Sequence, residues 1–330
     1  MIHPRVTVIM PVYNVEAYVI EAINSVIQQS FTDWEMLIID DGCSDSSIKL
    51  CSTFTDPRIR IISQPNRGLA GARNTGIVHA SGDYIALLDS DDRWLPAKLA
   101  LHVIHLDTNP DVGVSYSGSR FIDADGQPLR QAQRPKLGNI STEDILCRNP
   151  VGNGSAAVIR RLALDEVMFR HPKDPNRLCW FDESFRQSED IELWVRMALQ
   201  SRYRFDGIAP LLTEYRIVSG GLSANVVRQY DSWLKMVDKM KLSHSDFLAL
   251  HGRRARAYQL RYLARRSVQM GDGSLALMLL REGLRYSLKP LWEEPAKTLA
   301  TLIAAITVRL VGDACLVKLS KLWTGGRVTA

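Results

Sequence analysis

At 330 residues and 46% hydrophobic, the chain is long enough for one large domain, or a domain and a half, around a buried core, and its composition is that of a soluble globular protein. Its five cysteines, at 43, 51, 147, 179 and 315, show no paired metal-ligand spacing, and their odd number argues against a disulfide framework, which favours a reducing, cytosolic setting. The net charge of +5 hides an asymmetry: from Val226 onward 18 Lys and Arg stand against 8 Asp and Glu, giving +10, while residues 1–225 carry 23 against 28, giving −5. Such a basic tail attracts nucleic acid or an anionic membrane surface, or it is a set of solvated helix faces.

In chain order, a strand-like segment at Val6–Met10 follows the amino terminus within a few residues, with none of the zones of a signal peptide, so export is not expected. Met36–Ile39, Ile59–Ile62, Tyr84–Leu88 and Val112–Tyr116 are the next strands. Val19, Ala22, Ile23, Val26 and Ile27 make an apolar helical stripe between the first two; Leu69, Ala72, Gly76 and Ile77 repeat it in the third crossover, where Gly76 weakens the helix. Ser44-Asp45-Ser46-Ser47 supplies N-cap chemistry for a helix from Ile48 to Phe54. This alternation predicts an α/β fold of βαβ units, a mostly parallel sheet with helices on both faces.

After Tyr116 the pattern is mixed: an Asp123-Ala124-Asp125-Gly126 turn, a strand at Ala156–Ile159, a helix at Ile191–Leu199 and a strand near Leu211–Tyr215. From about Ala224 helix follows helix, with breaks at Gly271-Asp272-Gly273 and Pro290; Leu260, Leu263, Ala264, Leu275, Leu279 and Leu284 are expected to line the interfaces. The expected division is 1–224 and 225–330. Leu299–Val308 is apolar but too short to span a bilayer, which takes roughly 20 apolar residues. Lys297, Arg309, Lys318 and Lys321 around it suit an interfacial helix, and a helix packed on its own domain fits as well.

The chemistry gathers at strand ends. Asp89-Ser90-Asp91-Asp92 follows the apolar Tyr84–Leu88, and Asp40-Asp41-Gly42 ends the second strand, so carboxylates stand where open α/β sheets bind ligands. Carboxylates one residue apart repel unless a cation or a set of donors lies between them. Pro11-Val12-Tyr13-Asn14 ends the first strand and lacks the Gly-rich phosphate fingerprint, so phosphate must be held in another way.

Taken in order, Pro11-Val12-Tyr13-Asn14, Ile39 to Asp45, Asn66-Arg67-Gly68-Leu69-Ala70-Gly71-Ala72-Arg73-Asn74 and Asp89-Ser90-Asp91-Asp92 resemble the motifs of the family 2 inverting glycosyltransferases, over about residues 5–220. The resemblance implies a GT-A fold, a nucleoside diphosphate sugar donor (UDP favoured) and a divalent cation, Mn²⁺ or Mg²⁺. It places Pro11, Tyr13 and Asp41 in the nucleoside pocket, Asp89 near the ribose or sugar, and Asp91 on the metal. One carboxylate suffices when phosphates and water complete the oxygen shell. Arg67 and Arg73 either contact phosphate or form salt bridges within the fold.

Phe181-Asp182-Glu183-Ser184-Phe185 and Ser188 to Arg196 resemble the family's acceptor-side segment, which makes Asp190 the catalytic base; read alone, Ser188 caps the helix and Glu189 and Asp190 favour its dipole. Where the family often has Gly before the Phe-Asp pair, this chain has Leu178-Cys179-Trp180, and Trp180 either stacks on a sugar or is core. Tyr215-Arg216 with Ser219 and Ser223 resembles the closing segment, Gly220-Gly221 giving flexibility and Arg216 a phosphate contact. The implied acceptor is a saccharide, lipid-linked in bacterial surface polysaccharide or glycolipid synthesis, reached at the inner face of the cell membrane by the basic tail; nucleic acid is not the expected partner. A non-catalytic nucleotide-sugar-binding or scaffold protein and a sugar nucleotidyltransferase are the rival readings.

Overall fold

In the computed structural model, which describes residues 3–218 and 225–311, β1 (Val6–Val12) is buried along its whole length. It is the spine of the larger of two compact units, which takes in the described residues up to 218 apart from 146–148. From β1 the chain passes through α1 (Val19–Ile27) to β2 (Trp34–Asp40), then α2 (Ser47–Cys51) and β3 (Ile59–Ser63), each strand parallel to the last. Helix α3 (Gly68–His79) then returns the chain to β4 (Tyr84–Leu87), parallel to β1 on its other side. The winding direction therefore reverses between β1 and β4, and a crevice opens at the carboxyl ends of the strands there.

The rest of the sheet is mixed. β5 (Arg93–Trp94), α4 (Lys98–Thr108), β6 (Val112–Ile122), β7 (Pro128–Gln133), α5 (Thr142–Arg148), β8 (Ala157–Arg160), α6 (Arg161–Asp165), a hairpin of β9 (Phe169–His171) and β10 (Asp174–Cys179), α7 (Glu189–Gln200) and β11 (Arg204–Arg216) follow in order. The nine-stranded sheet runs β3-β2-β1-β4-β8-β6-β11-β5, with β7 on β6. Strand β8 lies antiparallel between β4 and β6 and brings the segment before it against the end of β4.

Each expected strand is present. β6 and β11 run furthest past their apolar runs, because Ser117, Gly118 and Ser119 pair with β11 beyond Tyr116; pairing, not hydrophobicity, sets those ends. The Asp123–Gly126 turn closes the β6–β7 hairpin, Asp123 Oδ1 accepting from the amides of Asp125 and Gln127 at 3.0 and 2.8 Å. The expected helix to Phe54 stops at Cys51, and Ser46 makes no side-chain cap; Asp45 Oδ1 accepts from the Ser47 amide at 3.0 Å instead.

In the smaller unit the described helices are α8 (Val226–Lys241), α9 (Ser245–Gln269), α10 (Gly273–Tyr286), α11 (Lys289–Glu293) and α12 (Pro295–Val311). Leu260, Leu263, Ala264 and Leu279 are buried with Ala276 and Ala305, and Leu275 packs on that cluster. Leu284 is an exception to the expected set: it lies 36% exposed. Asp272 caps α10 by accepting from the Leu275 amide at 2.8 Å, and Pro290 stands in the first turn of α11. Ser219, Gly220, Gly221, Ser223, Asp313, Cys315, Lys318 and Lys321 lie outside the described residues. Cys43, Cys51, Cys147 and Cys179 are free thiols.

Gly76 weakens α3 in isolation but permits its contact with β1: a Cβ there would stand 2.3 Å from Ile9 Cγ2. Gly76→Ala is therefore expected to lower the unfolding free energy by about 1–3 kcal/mol through overpacking, despite the gain in helix propensity. Urea denaturation monitored by circular dichroism measures it.

Candidate functional site

The crevice at the β1–β4 reversal begins with Pro11 and Asp41. Pro11 is buried opposite Ile39 in the register of β1 and β2, and the Asp41 amide donates to Val12 O at 3.0 Å. The Asp41 carboxylate is buried and accepts from the amides of Arg67 and Gly68, both at 2.8 Å, and from Gln64 Nε2 at 2.6 Å. It thus caps the amino end of α3, where a carboxylate is favoured by orphan N–H groups and the helix dipole. Tyr13 is 52% exposed at the rim.

Across β1, the chain turns after β4 through Asp89-Ser90-Asp91-Asp92. Ser155, just before β8, fixes both ends of this turn: its Oγ accepts from the Asp89 amide at 2.9 Å and donates to Asp92 Oδ2 at 2.6 Å. Asp92 is buried, and its other oxygen accepts from the Arg216 amide at 2.9 Å. Burial, with Asp91 and Asp89 nearby, holds its pKa well above the usual carboxylate range. Asp91 remains partly exposed and forms no ion pair among the described residues. Burial and the neighbouring Asp89 push its pKa up to about 6.

Arg73 joins this turn to the acceptor-side segment. Its guanidinium is fully buried, with Asp89 on one arm and Glu189 on the other, each at 2.7 Å. Asn74 beside it accepts from the amides of Trp180 and Phe181 at 2.9 and 2.8 Å and donates to Phe181 O at 2.8 Å. Two consecutive residues of α3 therefore hold the chain at 180–181 and at 189. Helix α7 starts there, after Ser188 in the left-handed conformation (φ +58°). Ser188 makes no side-chain cap, contrary to the sequence expectation; its backbone is left-handed where a capping residue is usually extended. Asp190 sits in that turn, where burial and Glu189 push its pKa up to about 7 against the opposing charge of Arg73.

The structure thus brings Asp89, Glu189 and Asp190 around one buried cation, with Asp91 on the same turn as Asp89, and Pro11, Tyr13 and Asp41 at the neighbouring strand ends. The arginines divide. Arg216 is buried, donating to Asp91 O at 2.7 Å, to the carbonyls of Asp123 and Ala124 and to Glu21 at 2.8 Å, so it staples the Asp91 backbone from within. Arg73 is likewise spent inside the fold. Arg67 gives its amide to Asp41, and among the described residues its guanidinium has no acidic partner. Trp180 is core, 3% exposed.

Gly154, Ser155 and Lys98 escaped the sequence reading. A Cβ on Gly154 would stand 2.4 Å from an Arg73 guanidinium nitrogen, so only glycine lets the Arg73–Asp89 pair lie against this backbone. Lys98, fully buried, donates to Ala156 O at 2.9 Å and braces the same segment; burial lowers its pKa to about 7 against the attraction of Asp92. The run Asn153-Gly154-Ser155-Ala156-Ala157 signals close packing by its small residues but says nothing of the partner.

Acidic ends on β2 and β4, the two strands that flank β1, together with a carboxylate on a separate helix, suit a transferase of the sugar-nucleotide class. Residues 7–168 match the family described as Glycosyl transferase family 2, and the domain belongs to it. The chain is 29% identical over 231 residues (68% of it, 84% of the relative) to "UDP-Glc:alpha-D-GlcNAc-diphosphoundecaprenol beta-1,3-glucosyltransferase WfgD" of Escherichia coli. It is 29% identical over 226 residues (67% and 82%) to the "Putative teichuronic acid biosynthesis glycosyltransferase TuaG" of Bacillus subtilis. Its fold is similar to that of a mannosyltransferase from Pyrobaculum calidifontis in complex with GDP-Man and Mn²⁺, with TM-score 0.57, 19% identity and coverage of 93% and 87%. A TarS fragment of S. aureus in complex with UDP-GlcNAc gives 0.54, 15%, 92% and 91%. The fold is GT-A with a carboxyl-terminal helical region, and the protein is a glycosyltransferase.

Arg73→Met is expected to cost about 3–5 kcal/mol in denaturant unfolding, because it strands Glu189 in the interior without a partner. Ser155→Ala, which leaves Asp92 without its hydroxyl donor and the Asp89 amide without its acceptor, is expected to cost about 1–3 kcal/mol in the same assay.

Proposed function

We propose that this glycosyltransferase is metal-dependent and inverting, and that it moves a sugar from a UDP-sugar to an acceptor hydroxyl in bacterial surface polysaccharide or glycolipid synthesis. The observation that carries this reading is the Arg73 bridge: Asp89 and Glu189 share one guanidinium, so the donor-side turn and the helix of Asp190 form a single site. Residues 1–224 are the catalytic domain in this reading and 225–330 a basic helical region. The uridine and the lipid-linked acceptor are supported by the name of the Escherichia coli relative.

A divalent cation fits the site when the donor's phosphates complete its shell. Among the described residues no group of three His, Cys, Asp or Glu could hold a metal alone. Asp91 offers an unpaired carboxylate whose ionisation is opposed by burial and by Asp89, and a bound cation relieves that opposition. When bound, Mn²⁺ or Mg²⁺ would neutralise charge gathering on the departing diphosphate.

The chain's own residues do the rest. Pro11 and Tyr13 flank the nucleoside, and Asp41 presents a carboxylate to the base beside the backbone amides it already holds. Arg67, unlike Arg73 and Arg216, has a guanidinium to give to phosphate; Arg73 and Arg216 position Asp89 and the Asp91 backbone. Asp89 faces the ribose or sugar. Asp190 takes the proton of the acceptor hydroxyl as its oxygen bonds to the anomeric carbon on the face opposite the leaving group. The bond from that carbon to the diphosphate breaks, and its electrons leave with the nucleoside diphosphate.

A base must be unprotonated to act. Since Asp190 titrates at about 7, kcat/KM is expected to rise with pH, half complete near that value, and to fall about tenfold for each unit below it. Asp190→Asn is expected to remove transfer by at least about two orders of magnitude while calorimetry still detects UDP binding with Mn²⁺. Asp91→Asn is expected to remove the Mn²⁺-promoted part of that binding. Unchanged transfer in Asp190→Asn rules out the assigned base, and donor binding indifferent to Asp91 and to EDTA rules out the metal. No helix among the described residues is long and apolar enough to cross a membrane. A lipid-linked acceptor, as named for the Escherichia coli relative, supports a peripheral position at the cytoplasmic face of the membrane.

A further inference from the structure

Helix α12 is amphipathic the wrong way round for a helix that meets only water. The residues it buries against its own unit are Thr298, Thr301, Ala305 and Val308. The opposite side exposes Leu299, Leu302, Ile303, Ile306 and Leu310, with Ile303 63% and Leu310 76% exposed. Leu299, Ile303, Ile306 and Leu310 follow one another at steps of four, three and four, so they form a continuous stripe along one side. Trp292, just before the helix, is 76% exposed. Single exposed apolar residues are ordinary, but a contiguous stripe marks a surface that is covered in use.

We infer that this face of α12 docks on an anionic lipid surface. Three observations select lipid over a second copy of the chain. Residues 295–311 contain no acid, and Lys297 and Arg309 stand among the apolar residues. Residues 225–311 carry 15 Lys and Arg against 7 Asp and Glu, so two copies brought face to face repel while anionic headgroups attract. The hydroxyls of the helix are also satisfied from within: Thr298 donates to Pro290 O at 2.6 Å, Thr301 to Lys297 O at 2.7 Å and Thr307 to Ile303 O at 3.0 Å. The helix can therefore settle among headgroups without burying an unpaired polar group. This docking deepens the reading of an enzyme that works at a membrane surface, but it requires neither donor nor acceptor and is measured without them.

The test is co-sedimentation of the full chain with vesicles of phosphatidylglycerol and phosphatidylcholine, and of phosphatidylcholine alone, at low and high salt. The wild-type chain is expected to pellet with the anionic vesicles, less at high salt, and to stay in solution with the neutral ones. Leu299→Ser, Ile303→Ser and Leu310→Ser combined, all at exposed positions, are expected to weaken that partitioning by about tenfold or more with an unchanged melting temperature. Lys289→Glu with Arg309→Glu, which leaves the apolar stripe intact, is expected to weaken it similarly through charge. Wild-type protein that stays in solution with anionic vesicles overturns the inference, whether a second copy or residues 312–330 cover the stripe. So does a serine variant that binds as well as the wild type, or a wild-type dimer in sedimentation velocity that this variant dissolves. Nucleoside diphosphate release from a sugar nucleotide, followed without vesicles, is expected to be the same in wild type and variants. Its loss in the wild type counts against the catalytic reading and leaves the vesicle result standing.

Discussion

An arginine in a protein interior is costly unless carboxylates surround it, and removing those partners leaves several kcal/mol uncompensated. Arg73 meets that condition with Asp89 and Glu189, residues 16 and 116 positions away in sequence, and the site depends on the result. One carboxylate belongs to the turn after β4 and the other to the first turn of α7. The guanidinium is planar and charged at every relevant pH, so it fixes both partners in direction as well as in distance. Asn74 makes the same connection with neutral groups, holding the backbone at 180–181. The two residues close a motif that begins at Asn66, and this bridging gives that motif a physical meaning apart from any ligand.

Around the bridge, each carboxylate is placed differently with respect to donors. Asp41 receives three N–H groups and caps α3. Asp92 is buried and held by Ser155 and an amide. Asp92 is raised well above the usual carboxylate range, and Asp91 and Asp190 are pushed up to about 6 and about 7, each chiefly by burial. In the proposed reaction Asp91 would receive a cation and Asp190 a proton, which would separate the two tasks that sugar transfer demands. The separation comes from the surroundings, since the residues are chemically the same.

Much of this was legible in the sequence. The buried strands ending in Asp40-Asp41 and Asp89 could be read from apolar runs, and the order of the motifs led to the family. The arginines could not be read in that way. Arg67, Arg73 and Arg216 are alike in sequence, and only the pairing of Arg73 and the burial of Arg216 under the Asp91 backbone tell them apart. Ser155 was invisible because its partners lie 63 and 66 residues away and reach it only through the antiparallel insertion of β8. Likewise, the apolar run in α12 announced a helix but not which face turns outward, since that depends on the threonines taking the inner side.

The account rests on Asp91 and Asp190 serving one reaction centre. A crystal of the protein grown with a non-hydrolysable UDP-sugar and Mn²⁺ tests this most directly, through the anomalous signal of the metal. The expected result is a manganese peak bridging the Asp91 carboxylate and the diphosphate, with the Asp190 carboxylate within hydrogen-bond reach of a hydroxyl or water on the opposite side of the anomeric carbon. Manganese bound away from Asp91, or an anomeric carbon that Asp190 does not face, would contradict it.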